Sequence, residues 1–115
     1  MIDQDVYEAA LILTGITVGV YHDTDDKTQF SIRHRMRVTG GIMGALGCSQ
    51  AHTAGITGKR LGSIRSEWDA FRWKFDEQEQ EEWAAKVLAR AVNAKGVLLP
   101  KRGGKPLVMS PKVVA

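Results

Sequence analysis

Residues 30–38 read FSIRHRMRV, and the winding of this stretch decides the fold. Arginine stands at every second position, as Arg33, Arg35 and Arg37, with Phe30, Ile32, His34, Met36 and Val38 interleaved. At the two-residue period of a strand, those five interleaved residues share one face. Ser31, Arg33, Arg35 and Arg37 share the other. At the helical period the arginines spread over about half the circumference and the apolar stripe is ragged. The alternation predicts a strand, with guanidinium groups projecting about 7 Å apart on its outer face.

Working outward, TVGVYH at 17–22 reads as the preceding strand and DTDDKT at 23–28 as a polar turn, giving a β-hairpin. Upstream, Asp3 or Asp5 can cap a short helix through Val6, Ala9, Ala10 and Leu13, stopped by Gly15. Downstream, residues 40–62 hold seven of the chain's twelve glycines. Each glycine costs a helix interior about 1 kcal/mol against alanine. Short helical pieces, tight turns or close backbone approach are expected there, not long helices.

Ile64, Trp68, Phe71 and Phe75 then recur at helical spacing, with Ser63 or Ser66 as the cap. Asp76 with Glu79 forms a capping-box start for a further stretch. Trp83, Val87, Leu88, Ala91 and Val92 make its stripe. Acids crowd its first turns and Lys86, Arg90 and Lys95 its last, as the helix dipole favours. Gly96 is a suitable terminator. Either two helices meet near Asp76 or one runs through it, covering roughly 64–95. VLLPKRGGKPLVMSPKVVA reads as a C-terminal hairpin or extended arm. The expected class is therefore α+β: an N-terminal helix and β-hairpin, a glycine-rich connector, one or two amphipathic helices, and the C-terminal arm. Residues 1–96 form a single small globular domain and 97–115 a basic arm.

The net charge of +3 conceals strong segregation. Residues 1–30 carry six acids and one base, 31–75 eight bases and two acids, 76–82 five acids, and 83–115 seven bases. Basic blocks of this kind offer a surface to a polyanion. The lone Cys48 excludes an internal disulfide and fits a reducing, cytoplasmic setting. The acidic N-terminus lacks secretory character, and no run approaches the roughly 20 apolar residues of a membrane span.

Among chemical motifs, GITGKRLGS lacks the spacing and the Ser/Thr of a phosphate loop. Cys48 and His52 are four residues apart, but a zinc site would also need His22 and His34, and no spacing demands it. No metal or other cofactor is expected. No nucleophile elbow, metalloprotease motif or isolated acid in an apolar run is present, so no residue is assigned a catalytic role. Trp68, Phe71 and Phe75 share a core face. Trp73 falls off it between Arg72 and Lys74, where it suits base stacking or a protein contact.

Residues 42–61, which include ALGCSQAHTAGITGKRL, resemble part of a helix-turn-helix DNA-binding motif. The resemblance implies Ile42 and Leu46 as core positions of a first helix, Gly47 as the turn glycine and Ser49 as the cap of a recognition helix. Gln50, Ala51, His52 and Ala54 then face the groove, and Ile56 packs inward. Met43, Thr53, Gly55 and Gly58 depart from the usual pattern of that family.

These features lead to the expectation of a small, non-enzymatic nucleic-acid-binding or regulatory protein. Its phosphate and base contacts are Arg33, Arg35, Arg37, Gln50, His52, Lys59, Arg60 and Trp73, with a second basic patch at Lys101, Arg102 and Lys105. The alternative is a structural or assembly subunit, or a small inhibitor of another protein, whose acidic and basic blocks mate with a partner or with a second copy.

Overall fold

The computed structural model describes residues 2–94 of the chain. Among them every regular element is an α-helix: α1 Ile2–Thr14, α2 Val18–His22, α3 Gln29–Leu46, α4 Gln50–Thr57, α5 Leu61–Lys74 and α6 Glu77–Ala94. The fold is all-α, which corrects the α+β expectation. The stretch expected as a first strand is helix α2, and FSIRHRMRV lies inside α3. The hairpin or arm expected at 97–115 lies outside the described residues. No described helix is long and apolar enough to cross a membrane.

Local chemistry accounts for the helical outcome. Gly15 (φ 78°) ends α1 in the left-handed region, where glycine carries no side-chain penalty. Thr17 then caps α2 by accepting from the Val20 amide at 3.1 Å. In the polar turn, Thr28 caps α3 by accepting from the Ser31 amide at 3.3 Å. Asp26 braces that cap, accepting from the Thr28 amide and from the Ser31 hydroxyl at 2.6 Å.

Helix α3 is central, packing against α1, α2, α4, α5 and α6. Its inward residues include Ser31, Arg35, Val38, Thr39 and Ile42, a helical spacing. Ser31, Arg35 and Thr39 make most of that stripe polar, so hydrophobicity alone does not reveal it. Phe30, which completes the apparent alternation, is 62% exposed and stacks on His34 one turn along. The main core gathers Val6, Ala10, Tyr21, Val38, Ile42, Val87 and Ala91 from α1, α2, α3 and α6.

Glycines inside α3 mark close helix approach. A Cβ on Gly40 would lie 2.3 Å from the Phe71 ring of α5. One on Gly44 would lie 2.8 Å from the Ala84 Cβ of α6. The steric gain from close packing overrides the helix penalty of these residues. At the α5–α6 junction the capping box forms reciprocally: the Glu79 amide donates to Asp76 Oδ1 at 2.8 Å and the Asp76 amide to Glu79 Oε1 at 3.0 Å. Two helices therefore meet near Asp76.

Two alanine substitutions separate packing from propensity. Gly40→Ala forces the Phe71 ring aside and should lower unfolding stability by about 1–3 kcal/mol in urea. Gly55→Ala, on a helix position with open space around it, should raise stability by up to about 1 kcal/mol.

Candidate nucleic-acid interface

The row of cations expected on one strand face is not assembled. A helix turns about 100° per residue, so Arg33 and Arg37 share a side of α3 and Arg35 points elsewhere. Arg35 is 5% exposed, and its guanidinium donates to the carbonyls of Asp23 at 2.9 Å and Asp26 at 2.7 Å. Arg37 lies 4.2 Å over the Trp83 ring, and Trp83 Nε1 donates to the Arg37 carbonyl at 2.8 Å. Burial, and secondarily the charge of Arg33, hold the Arg37 pKa below its usual value. Arg33 is exposed, but its groove faces Glu79 and Glu82 of α6 as well as Lys86.

The turn between α3 and α4 has Gly47 in the left-handed region (φ 62°), and Ser49 accepts from the His52 amide at 3.1 Å. Ile42 is buried, and Leu46 and Ile56 pack against the core. The α4 helix has only eight residues, and its exposed positions include Ala51, His52 and Gly55. Gln50 is half-buried. His52 Nε2 is 2.9 Å from Asp3 Oδ2, and Gln4 donates to the Ile56 carbonyl at 3.2 Å, so the start of α1 is fastened to α4.

A second helix–turn–helix unit follows. Gly58 (φ 75°) ends α4, its amide donating to the Ala54 carbonyl at 2.9 Å, and three residues later α5 begins. A short turn containing glycine between two helices is a feature of helix-turn-helix units in general.

A buried polar network holds this turn. Lys59 Nζ contacts Glu67 Oε2 at 2.5 Å, donates to the Tyr21 carbonyl at 2.8 Å, and lies 3.7 Å over the Tyr21 ring. Glu67 accepts from the Thr39 hydroxyl at 2.5 Å. Because that proton is committed to the carboxylate, the Tyr21 hydroxyl donates to Thr39, at 2.6 Å. Thr57 accepts from the Lys59 amide and donates to the Thr53 carbonyl. Lys59, expected as a phosphate contact, is thus an internal tie. Burial lowers its pKa, opposed by the bond to Glu67. Burial, and then the charge of Glu67, push the Tyr21 pKa up.

The surface this tie presents is the outer stripe of α5: Gly62, Arg65, Ser66, Asp69, Arg72 and Trp73, all exposed. Arg60, the exposed N-cap residue, and Lys74 flank it. Trp73 is 92% exposed, and Arg72 lies 5.7 Å over the half-buried Trp68 ring. Arg60, Arg65, Arg72 and Lys74 therefore face solvent with Asp69 as the one exposed carboxylate of residues 60–74. Arg65, Ser66, Asp69, Arg72 and Lys74 were not among the contacts expected from the sequence. The signal was partly available: Ser66 and Asp69 fall on the helical face opposite Ile64 and Phe71, with Arg65 and Arg72 at its edge. Lys101, Arg102 and Lys105 lie outside the described residues.

Comparison with protein-family models, curated proteins and solved structures yields no match.

Breaking the buried pair from one side leaves an uncompensated charge. Glu67→Gln and Lys59→Met should each destabilise by about 3–5 kcal/mol, and the double variant by much less than their sum, in a denaturant double-mutant cycle. A pH series tests the same network. The native Tyr21 holds its proton above the ordinary tyrosine value of about 10, whereas the unfolded chain releases it. Its stabilisation is full below that pH and is lost as pH rises beyond it. Lys59 has the opposite sign: its cost shrinks as pH approaches its ordinary value of about 10.4. Above that range Tm should fall with pH, and Tyr21→Phe should flatten the fall.

Proposed function

We propose that the chain is a non-enzymatic DNA-binding protein that lays α5 in the major groove of a duplex, with α4 and the Gly58 turn as the supporting half of the motif. The observation that carries this reading is the exposed stripe Arg65, Ser66, Asp69, Arg72 on a helix whose base is fixed by the Lys59–Glu67 pair. In such a docking the first turns of the recognition helix approach base edges. Arg65 and Ser66 occupy that position here and carry hydrogen-bonding groups suited to guanine and to mixed acceptors.

Arg60 and Arg72 flank the readers as phosphate contacts. No side chain caps the start of α5, so its first amide groups are open to a phosphate. Gly62 has open space where a side chain would project, which lets a backbone come close. Trp73, at the far end of the stripe, supplies an apolar contact to the sugar backbone. The acids of early α6 repel DNA from that end.

The recognition role lies with α5 and not with α4. The exposed positions of α4 are small residues and a histidine fastened to α1, and they carry no arginine or lysine. Arg33, Arg35, Arg37 and Lys59 are likewise outside the contact set.

Fluorescence anisotropy with a labelled mixed-sequence duplex tests the proposal. At 50 mM salt the chain should bind, with log K falling linearly against log salt. Arg65→Ala and Arg72→Ala should each weaken binding, and loss of a phosphate contact at Arg72 should reduce the slope by about 0.9. Arg33→Ala should leave both unchanged. No binding at low salt, or equal losses from Arg33→Ala and Arg72→Ala, defeats it.

A further inference from the structure

We propose that the groove between the α2–α3 loop, α3 and the first half of α5 binds a phosphate-bearing small molecule of nucleotide size, and that this ligand competes with DNA. The competition rests on the reading of α5 above; the binding itself does not.

The groove has a volume of 720 Å³, within the ordinary range of small-molecule sites. Three cations line it: Lys27 on the loop, Arg35 on α3 and Arg60 at the start of α5. Arg35 is the unusual member. It is buried, and the carbonyls of Asp23 and Asp26 fix its guanidinium without cancelling its charge. Among the described residues it makes no ion pair. The charge of Arg35 is felt by the nearby Asp26 carboxylate, which forms no ion pair with it; a buried cation bonded only to carbonyls still gains from an anion that enters the groove. Two of the five guanidinium donors are committed to the carbonyls, which leaves others for a ligand.

The rest of the lining fits the same class. Lys27 donates to the Thr24 carbonyl at 2.7 Å, which holds its ammonium over the loop at the rim. Thr24, Ser63 and Ser66 add hydroxyls suited to phosphate or ribose oxygens. Ile32, Met36 and Ala70 form an apolar wall for a planar group. That wall favours a nucleotide-like molecule over a bare backbone phosphate. The one carboxylate lining the groove, Glu67, is already neutralised by Lys59. The other groove, at Arg33 and Arg37, is lined by two carboxylates without such a partner and does not suit an anion.

Arg60 and Ser66 belong both to this groove and to the exposed stripe of α5. A ligand that engages them and a duplex that engages them exclude one another, and the effect is reciprocal.

AMP and pyrophosphate are the probes, adenosine is the uncharged control, and the full chain is used without DNA. AMP and pyrophosphate at millimolar levels should raise Tm, and adenosine should not. By calorimetry, Lys27→Ala and Arg60→Ala should each weaken AMP about tenfold or more. Arg65→Ala should leave AMP affinity intact. In the DNA assay AMP should weaken duplex binding saturably. Lys27→Ala should abolish that competition without changing duplex affinity. No Tm shift with either anion, or AMP affinity unchanged in both groove variants, overturns the site. A duplex salt slope reduced by Lys27→Ala with no AMP binding assigns the groove to the DNA backbone and also overturns it. AMP binding with no effect on the duplex overturns the competition alone. Failure of the chain to bind DNA leaves the AMP results standing, so the two readings fail separately.

Discussion

The buried contact between Lys59 and Glu67 is the constraint on which the arrangement of α5 depends. It joins the turn after α4 to the middle of α5, and through Thr39 and Tyr21 it reaches α3 and α2. Four segments distant in sequence thus share one closed circuit of hydrogen bonds. Burial in a low-dielectric interior makes each member dependent on the others, since a half-satisfied network is worse than none. An apolar core tolerates small shifts of register. A directional network of this kind admits far fewer alternatives, and it fixes which side of α5 meets solvent.

Legibility in the sequence followed the type of signal. Apolar stripes and some helix ends were readable: Gly15 as the end of α1, Ile64, Phe71 and Phe75 as the inner face of α5, and the Asp76–Glu79 box at the start of α6; the cap of α5 was not, since the helix starts after Arg60 without a side-chain cap and Ser63 and Ser66 lie inside it. The interior of α3 was not. Its buried face carries Ser31, Arg35 and Thr39, while Phe30 sits outside, so polarity and burial are decoupled where the network lies. A two-residue alternation emerged by accident of composition. The glycines of α3 misled for a related reason: local propensity disfavours them, yet Gly40 and Gly44 are what let α5 and α6 approach. The candidate site suffered the same inversion. Charge alone points to Arg35 and Lys59, which are internal, whereas Arg65 and Arg72 lie on the outer side of a helix whose inner face is plain in the sequence.

Segregated charge takes on a spatial sense once the helices are placed. The acids opening α6 stand across a groove from Arg33 and Arg37, so part of the basic block faces the chain's own carboxylates. On α5 the cations left facing solvent are Arg65, Arg72 and Lys74, with Arg60 at the helix start.

Amide chemical-shift mapping of the ¹⁵N-labelled chain with a short duplex tests the central claim, that the buried network presents the outer face of α5 to DNA. Perturbations should concentrate on residues 60–73, with the α1–α6 side unaffected. Shifts centred on Arg33 and Arg37, or on α1, would contradict the account.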